Sequence, residues 1–187
     1  TCLFARESMT KKFFPSTTDV PLAETAADDK ASQEEVANLD AKNGTTVADV
    51  INRAGDDRAL LYSGCANGTR KVKTDEISGF TDGLSLVKWT NLRSDGTAGS
   101  DPSWPDTDIP LFRLAEAYLT RAEAKWRKSG RLDDALDDIN ELRRRANTRT
   151  LPSITSEMDI LDEWCREFFM EGRRRSDLVR FECFAGS

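Results

Sequence analysis

From Asp108 onward the apolar residues follow one helical period. Leu111, Leu114, Ala115, Tyr118, Leu119, Ala122 and Trp126 recur at i, i+3, i+4 and i+7, a pattern that predicts a single helix with one buried face. Pro110 fits the first turn of such a helix, where its missing N–H costs nothing. Arg113, Glu116, Glu123 and Arg127 are expected on the polar side, Glu123 preceding Arg127 in the favourable i, i+4 order. Gly130 closes the segment.

A second helix follows directly. Asp133 and Asp134 complement the positive end of its dipole, and Arg143, Arg144 and Arg145 lie near its carboxyl end. Ala135, Ile139, Leu142 and Ala146 form its inward stripe. The short link at Gly130 favours antiparallel packing, a helical hairpin. Ala115, Ala122 and Ala135 let the helices approach closely. Ser153, Thr155 or Ser156 can cap a third helix, and Ser156 with Asp159 can form a reciprocal capping box. Its apolar face is Ile160, Leu161, Trp164, Cys165, Phe168 and Phe169. Gly172 is expected just past its end. Ser176 and Asp177 can then start a short fourth helix through Leu178 and Phe181.

The region before this reads differently. Pro15 with Ser16 to Thr18, and Asp28-Asp29, suggest loops; Ser32 can cap a short helix through Leu39; and Asn43-Gly44 signals a turn. Thr45 to Arg53 predicts a brief helix with Val47, Val50 and Ile51 inward, broken at Gly55-Asp56-Asp57. Ala59 to Tyr62 and Leu84 to Trp89 read as short strands, with loops at Asn67-Gly68 and Asp82-Gly83. Gly96, Gly99 and Pro102 mark a further exposed loop. The expected organisation is mainly α: a loop-rich region with short helices and strands over residues 1–106, then helical hairpins over 107–187.

Composition excludes several kinds of chemistry. Among 187 residues there is no histidine, which removes Ser-His-Asp and Cys-His catalysis and most catalytic zinc sites. Cys2, Cys65, Cys165 and Cys183 are far apart, with no Cys-x-x-Cys pair for zinc. The net charge of -6 opposes nucleic-acid binding. No cofactor or metal is implied. The Arg143–Arg145 and Arg173–Arg175 runs read as anion sites, as solvated helix faces or as partners for carboxylates, the second run for Glu163, Glu167 and Glu171. Arg113 with Glu116 reads either as a catalytic pair or as a structural bridge to neighbouring helices. Asp133, Asp134, Asp137 and Asp138 are better explained by the helix dipole than by the paired carboxyls of a glycosidase.

Tandem helical hairpins with small inward residues and a tyrosine look like tetratricopeptide units, although the first helix is longer than that repeat allows. The wording of the segments is more specific. Asp106 to Leu119 followed by Ala122-Glu123-Ala124 resembles the signature of the SusD/RagB family. Ile139 to Arg143 with Arg145-Ala146 is similar to its second helix. Leu161-Asp162-Glu163, Arg166-Glu167, Glu171 to Arg174 and Asp177 to Phe181 continue in the family's order, and Asp57-Arg58-Ala59 and Lys88 to Asn91 stand in place upstream. The resemblance runs from about Gly55 to Ser187. Glu182-Cys183 departs from it, standing where the family usually has a glycine and a small or basic residue.

The resemblance implies a non-catalytic, lipid-anchored outer-membrane protein on the cell surface of a Bacteroidota cell. Such a protein binds oligosaccharides, or in some members peptides, and delivers them to a SusC-type TonB-dependent barrel. It also implies that the chain is a fragment of a longer protein, its lipid anchor lying outside. The expected ligand-binding residues are Trp104, Trp89 and Tyr62, whose rings can lie on sugar C–H groups. Trp104, between Ser103 and Pro105, is the expected exposed ring; Trp89 matches a family block and is expected to pack; Trp126 and Trp164 are core. The hairpins alone would equally support a helical-repeat adaptor binding a protein segment, and a carboxylate-dependent glycoside hydrolase is the third reading.

Overall fold

The computed structural model describes residues 4–16, 20, 47–65, 68–69, 82–93, 95–101, 104, 106 and 108–184. The expected features at Asp28-Asp29, Ser32 to Leu39, Asn43-Gly44, Asn67 and Pro102 lie outside them. The chain divides into two compact units. One comprises residues 1–54 and 59–109; the other joins residues 55–58 to residues 110–187. A linear boundary near 106 therefore misses that Gly55 to Arg58 belong with the helices.

The first unit contains β1 (Phe4–Ala5), α1 (Glu7–Thr10), α2 (Val47–Ala54), β2 (Leu61–Tyr62), β3 (Gly64–Cys65), β4 (Gly68–Thr69) and β5 (Leu84–Leu86). β5 is the centre of a three-stranded antiparallel sheet, pairing Ser85 with Phe4 on one side and Leu86 with Leu61 on the other. The strands are shorter than the apolar runs suggested. Ala5, Phe13, Phe14, Val50, Ala59, Leu61, Tyr62 and Leu84 are buried here. α2 forms as expected with Val50 wholly buried, and Gly55, at φ 62°, ends it in the left-handed conformation that glycine tolerates.

The second unit is helical: α3 (Leu114–Ser129), a 3-10 turn (Leu132–Ala135), α4 (Leu136–Arg145), α5 (Glu157–Phe168) and α6 (Arg174–Arg180). Its core is Ala115, Leu119, Ala122, Ala135, Ile139, Leu142, Ile154, Ile160, Leu161, Trp164, Phe168 and Phe181. The inward stripe of α4 is as the periodicity placed it. Trp164 is core, and Trp126 packs against the core while stacking on Phe181 at 5.8 Å between ring centroids.

The start of α3 is a correction. Arg113 is extended (φ -144°, ψ 159°) and the helix begins after it, so Pro110 lies before the first turn. Leu111 and Leu114, expected inward, are 83% and 73% exposed. Charge overrides periodicity here, because the Arg113 side chain is held by Glu167 and Glu171. Glu123 is a second correction. It is buried, because its Oε1 accepts hydrogen bonds from Arg127 Nε at 2.9 Å and Arg180 Nε at 2.8 Å.

Helix ends explain other residues. Ser156 and Asp159 form the capping box, with Asp159 also accepting from Thr155. α5 ends at Phe168, earlier than Gly172 suggested, and both Met170 and Gly172 are left-handed. α4 and α6 close with the paired 6→1 and 5→2 backbone bonds of a Schellman motif. In α4 the left-handed residue is Asn147, which tolerates it; in α6 it is Glu182, at φ 58°.

Candidate functional site

Among the described residues of the first unit, the exposed aromatic side chains Trp89 and Trp104 lie before and after a small hairpin. Leu92 bridges Ala98, Arg93 N donates to Thr97 O, and Gly96 takes the left-handed position at the tip. Asp95 accepts from both the backbone N–H and the hydroxyl of Thr97, which holds its carboxyl below its ordinary pKa. Gly99 N donates to Asn91 O and closes the hairpin.

Beyond Gly99, Asp101 and Asp106 both bond to Asn91, a buried side chain. Asn91 Nδ2 donates to Asp101 O at 3.1 Å, and its Oδ1 accepts from Asp106 N at 2.7 Å. Asp101 Oδ1 accepts from Trp104 N at 2.9 Å, and Ser100 donates through both N–H and hydroxyl to Asp106. Those two bonds hold the exposed Asp106 carboxyl below its ordinary pKa. Trp104 projects from this loop with its side chain open, 75% exposed.

The other two expected rings fare differently. Trp89, expected to pack, is 42% exposed, because it lies beyond β5 where the strand has already ended. Tyr62 is only 2% exposed, since β2 pairs with β5 and turns the ring into the core of the unit; it offers no open face. Asn91 and Asp106, which tie this segment together, do not stand out from the hydrophobic pattern. The available signal was a glycine at 99 opposite an asparagine, a close approach that only glycine permits.

The arginine runs do not assemble an anion site. Arg143 Nη1 is 2.9 Å from Glu163 Oε2, Arg145 Nη2 is 2.8 Å from Glu167, and Arg144 pairs with Glu141. In the later run, Arg173 pairs with Glu116, Arg174 donates to Leu161 O, and Arg175 lies over the Phe184 ring. The expected pairing of this run with Glu163, Glu167 and Glu171 is thus corrected. Those glutamates are already taken by Arg58, Arg113, Arg143, Arg145 and Arg166.

Arg58 is the centre of that network. Its Nε and Nη2 donate to the two oxygens of Asp56 at 2.8 and 2.7 Å, and Nη1 lies 2.8 Å from Glu163 Oε1. Burial alone would depress its pKa, but Asp56 and Glu163 outweigh burial and raise it. Burial would likewise raise Glu167, yet Arg113, Arg145 and Arg58 hold it below its ordinary value. Arg113 Nη1 reaches Glu167 at 2.5 Å, Arg113 Nε and Nη2 fork onto Glu171, and its guanidinium lies 3.8 Å from the Phe168 ring centre. Glu116 and Arg113 are therefore helix bridges, each to a different partner. Of the four aspartates near the start of α4, Asp138 is buried between Arg121 and Lys125, and Asp133 accepts from Ile154 N. Among the described residues no cluster of acids and cysteines could hold a metal ion, and no helix is long and apolar enough to cross a membrane.

These features define a class: a helical scaffold locked by buried ion pairs, with aromatic side chains presented on loops of a separate unit. Comparison with known proteins gives the family. The pattern that defines the SusD family matches residues 22–187. The chain is also 57% identical, over 98% of its length, to the Starch-binding protein SusD of Bacteroides thetaiotaomicron. It spans 33% of that relative's length. The chain belongs to the SusD family.

Proposed function

We propose that this protein captures starch-type oligosaccharides at the cell surface, without cleaving them, and passes them to a SusC-type TonB-dependent barrel in the outer membrane. The single observation that carries this reading is the 57% identity to a starch-binding protein across almost the whole chain. In this reading the protein is held to the outer membrane by a lipid anchor and the helical unit is scaffold.

Trp104 is the ring assigned to the sugar, with Trp89 as a second contact. A wide aromatic face offers large apolar area on a side chain with few rotatable bonds, which suits the C–H face of a glucose unit. Tyr62 is not assigned a contact, since its ring is buried. Among the described residues of the helical unit most arginines pair with carboxylates, which favours a neutral ligand over an anionic one.

The test is a calorimetric titration of the full-length protein with maltoheptaose. The wild type is expected to bind, and Trp104→Ala to weaken binding about tenfold, the equivalent of roughly 1.4 kcal/mol. Equal affinity of the two proteins would remove Trp104 from the site, and absence of binding by the wild type would overturn the starch reading.

A further inference from the structure

We propose that Asn91 is a positioning residue for Trp104, its buried carboxamide holding Asp101 and Asp106 on either side of it so that the indole is kept outward for a sugar ring. The inference rests on the glycan-binding reading and adds a residue that touches no ligand.

A side chain as open as Trp104 has little packing to fix it, so its pose must come from its backbone. That backbone is tied by a short chain of bonds. Trp104 N donates to Asp101 Oδ1, and the carbonyl of Asp101 accepts from Asn91 Nδ2. On the far side of Trp104, Asp106 N donates to Asn91 Oδ1. One carboxamide thus holds the residues on both sides of the indole, using its donor and its acceptor at once. A carboxamide carries both functions on one planar group, whereas an ionised aspartate could only accept.

The fit around Asn91 is close. A Cβ built on Gly99 would come within 2.5 Å of Asn91 Nδ2 and 2.8 Å of Oδ1, so a side chain there must displace the carboxamide. Gly99 also donates its N–H to Asn91 O. Asp106 is fixed a second time by Ser100, which keeps the return of the loop from depending on Asn91 alone. Presetting the backbone lowers the ordering cost that a flexible loop would impose on binding.

The test combines a readout of the ring with one of the ligand, in the full-length protein. Time-resolved anisotropy of Trp104, isolated by subtracting the signal of Trp104→Phe, reports how freely the indole moves. Titration with maltoheptaose reports affinity. Asn91→Ala is expected to enlarge the fast depolarisation of Trp104 and to weaken binding about tenfold, yet to cause no further loss in a Trp104→Ala background. Gly99→Ala, which displaces Asn91 without removing it, is expected to do the same, and it decides the question where Asn91→Ala does not fold. Unchanged anisotropy in both variants would overturn the proposal, as would equal losses with and without Trp104. A wild type that binds no maltoheptaose overturns the glycan reading instead, and the positioning claim then stands or falls on the anisotropy.

Discussion

Arg58 and Glu163 form an ion pair of 2.8 Å in which the two side chains are 7% and 0% exposed. Neither charge could be buried alone. Asp56 balances Arg58 from two residues away, and Arg143 and Arg166 balance Glu163 from α4 and from the next turn of α5. The network joins the segment at 55–58 to α4 and α5, which is why four residues before Ala59 belong to the helical unit.

Removing one partner of this network should be far more costly than its exposed neighbours suggest. Arg58→Ala leaves Asp56 buried without its cation and Glu163 with only Arg143 and Arg166, and is expected to cost about 3–5 kcal/mol in urea unfolding. Arg58→Lys should recover only part of this, because one ammonium cannot reproduce the two-pronged contact with Asp56. Arg144→Ala, which loses only an exposed pair with Glu141, should stay within about 0.5 kcal/mol of the wild type.

Acid should loosen the helical unit. Glu167 and Asp138 both titrate below their ordinary values in the folded protein, Glu167 held by Arg113, Arg145 and Arg58, Asp138 by Arg121 and Lys125, each against the opposing effect of burial. A depressed folded pKa stabilises the fold above the unfolded value and loses that stabilisation as pH falls through the folded one. Urea midpoints measured across pH are therefore expected to be flat near neutrality and to decline below about pH 4, the ordinary carboxylate range. Arg121→Ala should make the decline shallower, since it removes Asp138's main partner. A midpoint that rises on acidification would contradict the assignment.

Glu182 occupies the left-handed position that closes α6, with Cys183 N donating to Leu178 O and Glu182 N to Val179 O. The family resemblance expects glycine at this point, and the geometry explains why. Glu182→Gly is expected to raise stability by about 1 kcal/mol, since a side chain there carries a steric cost of roughly 1–2 kcal/mol. Thermal unfolding of the two proteins measures it.

Ala122 is wholly buried in the helical core, where α3 packs against α4. Ala122→Leu should overpack it and destabilise the protein by about 1–3 kcal/mol. The complementary Leu119→Ala opens a cavity and should cost about 2–5 kcal/mol.

Much of the scaffold was legible because helices write their burial at a fixed period. The stripe from Ala135 to Ala146 and the face from Ile160 to Phe169 were readable from that period, and the Ser156 box from its capping residues. The start of α3 was not, because Arg113 is held by Glu167 and Glu171, residues more than fifty positions away, and periodicity carries no record of such partners. Glu123 was misplaced for the same reason. The loops were harder still. Trp104 could be read as exposed from the turn formers around it, but Trp89 and Tyr62 depend on where β5 ends and which strand it pairs with. Asn91 acts through atoms rather than through hydrophobicity, so only the neighbouring glycine hinted at it.

Capture of a starch-type glycan and the absence of turnover can be tested in one experiment. Full-length protein would be equilibrated by dialysis with labelled maltoheptaose, and the recovered sugar then separated by size. Saturable retention of the label is expected, weakened by Trp104→Ala, with the recovered sugar still entirely maltoheptaose. Shorter products, or retention no greater than in buffer, would contradict it.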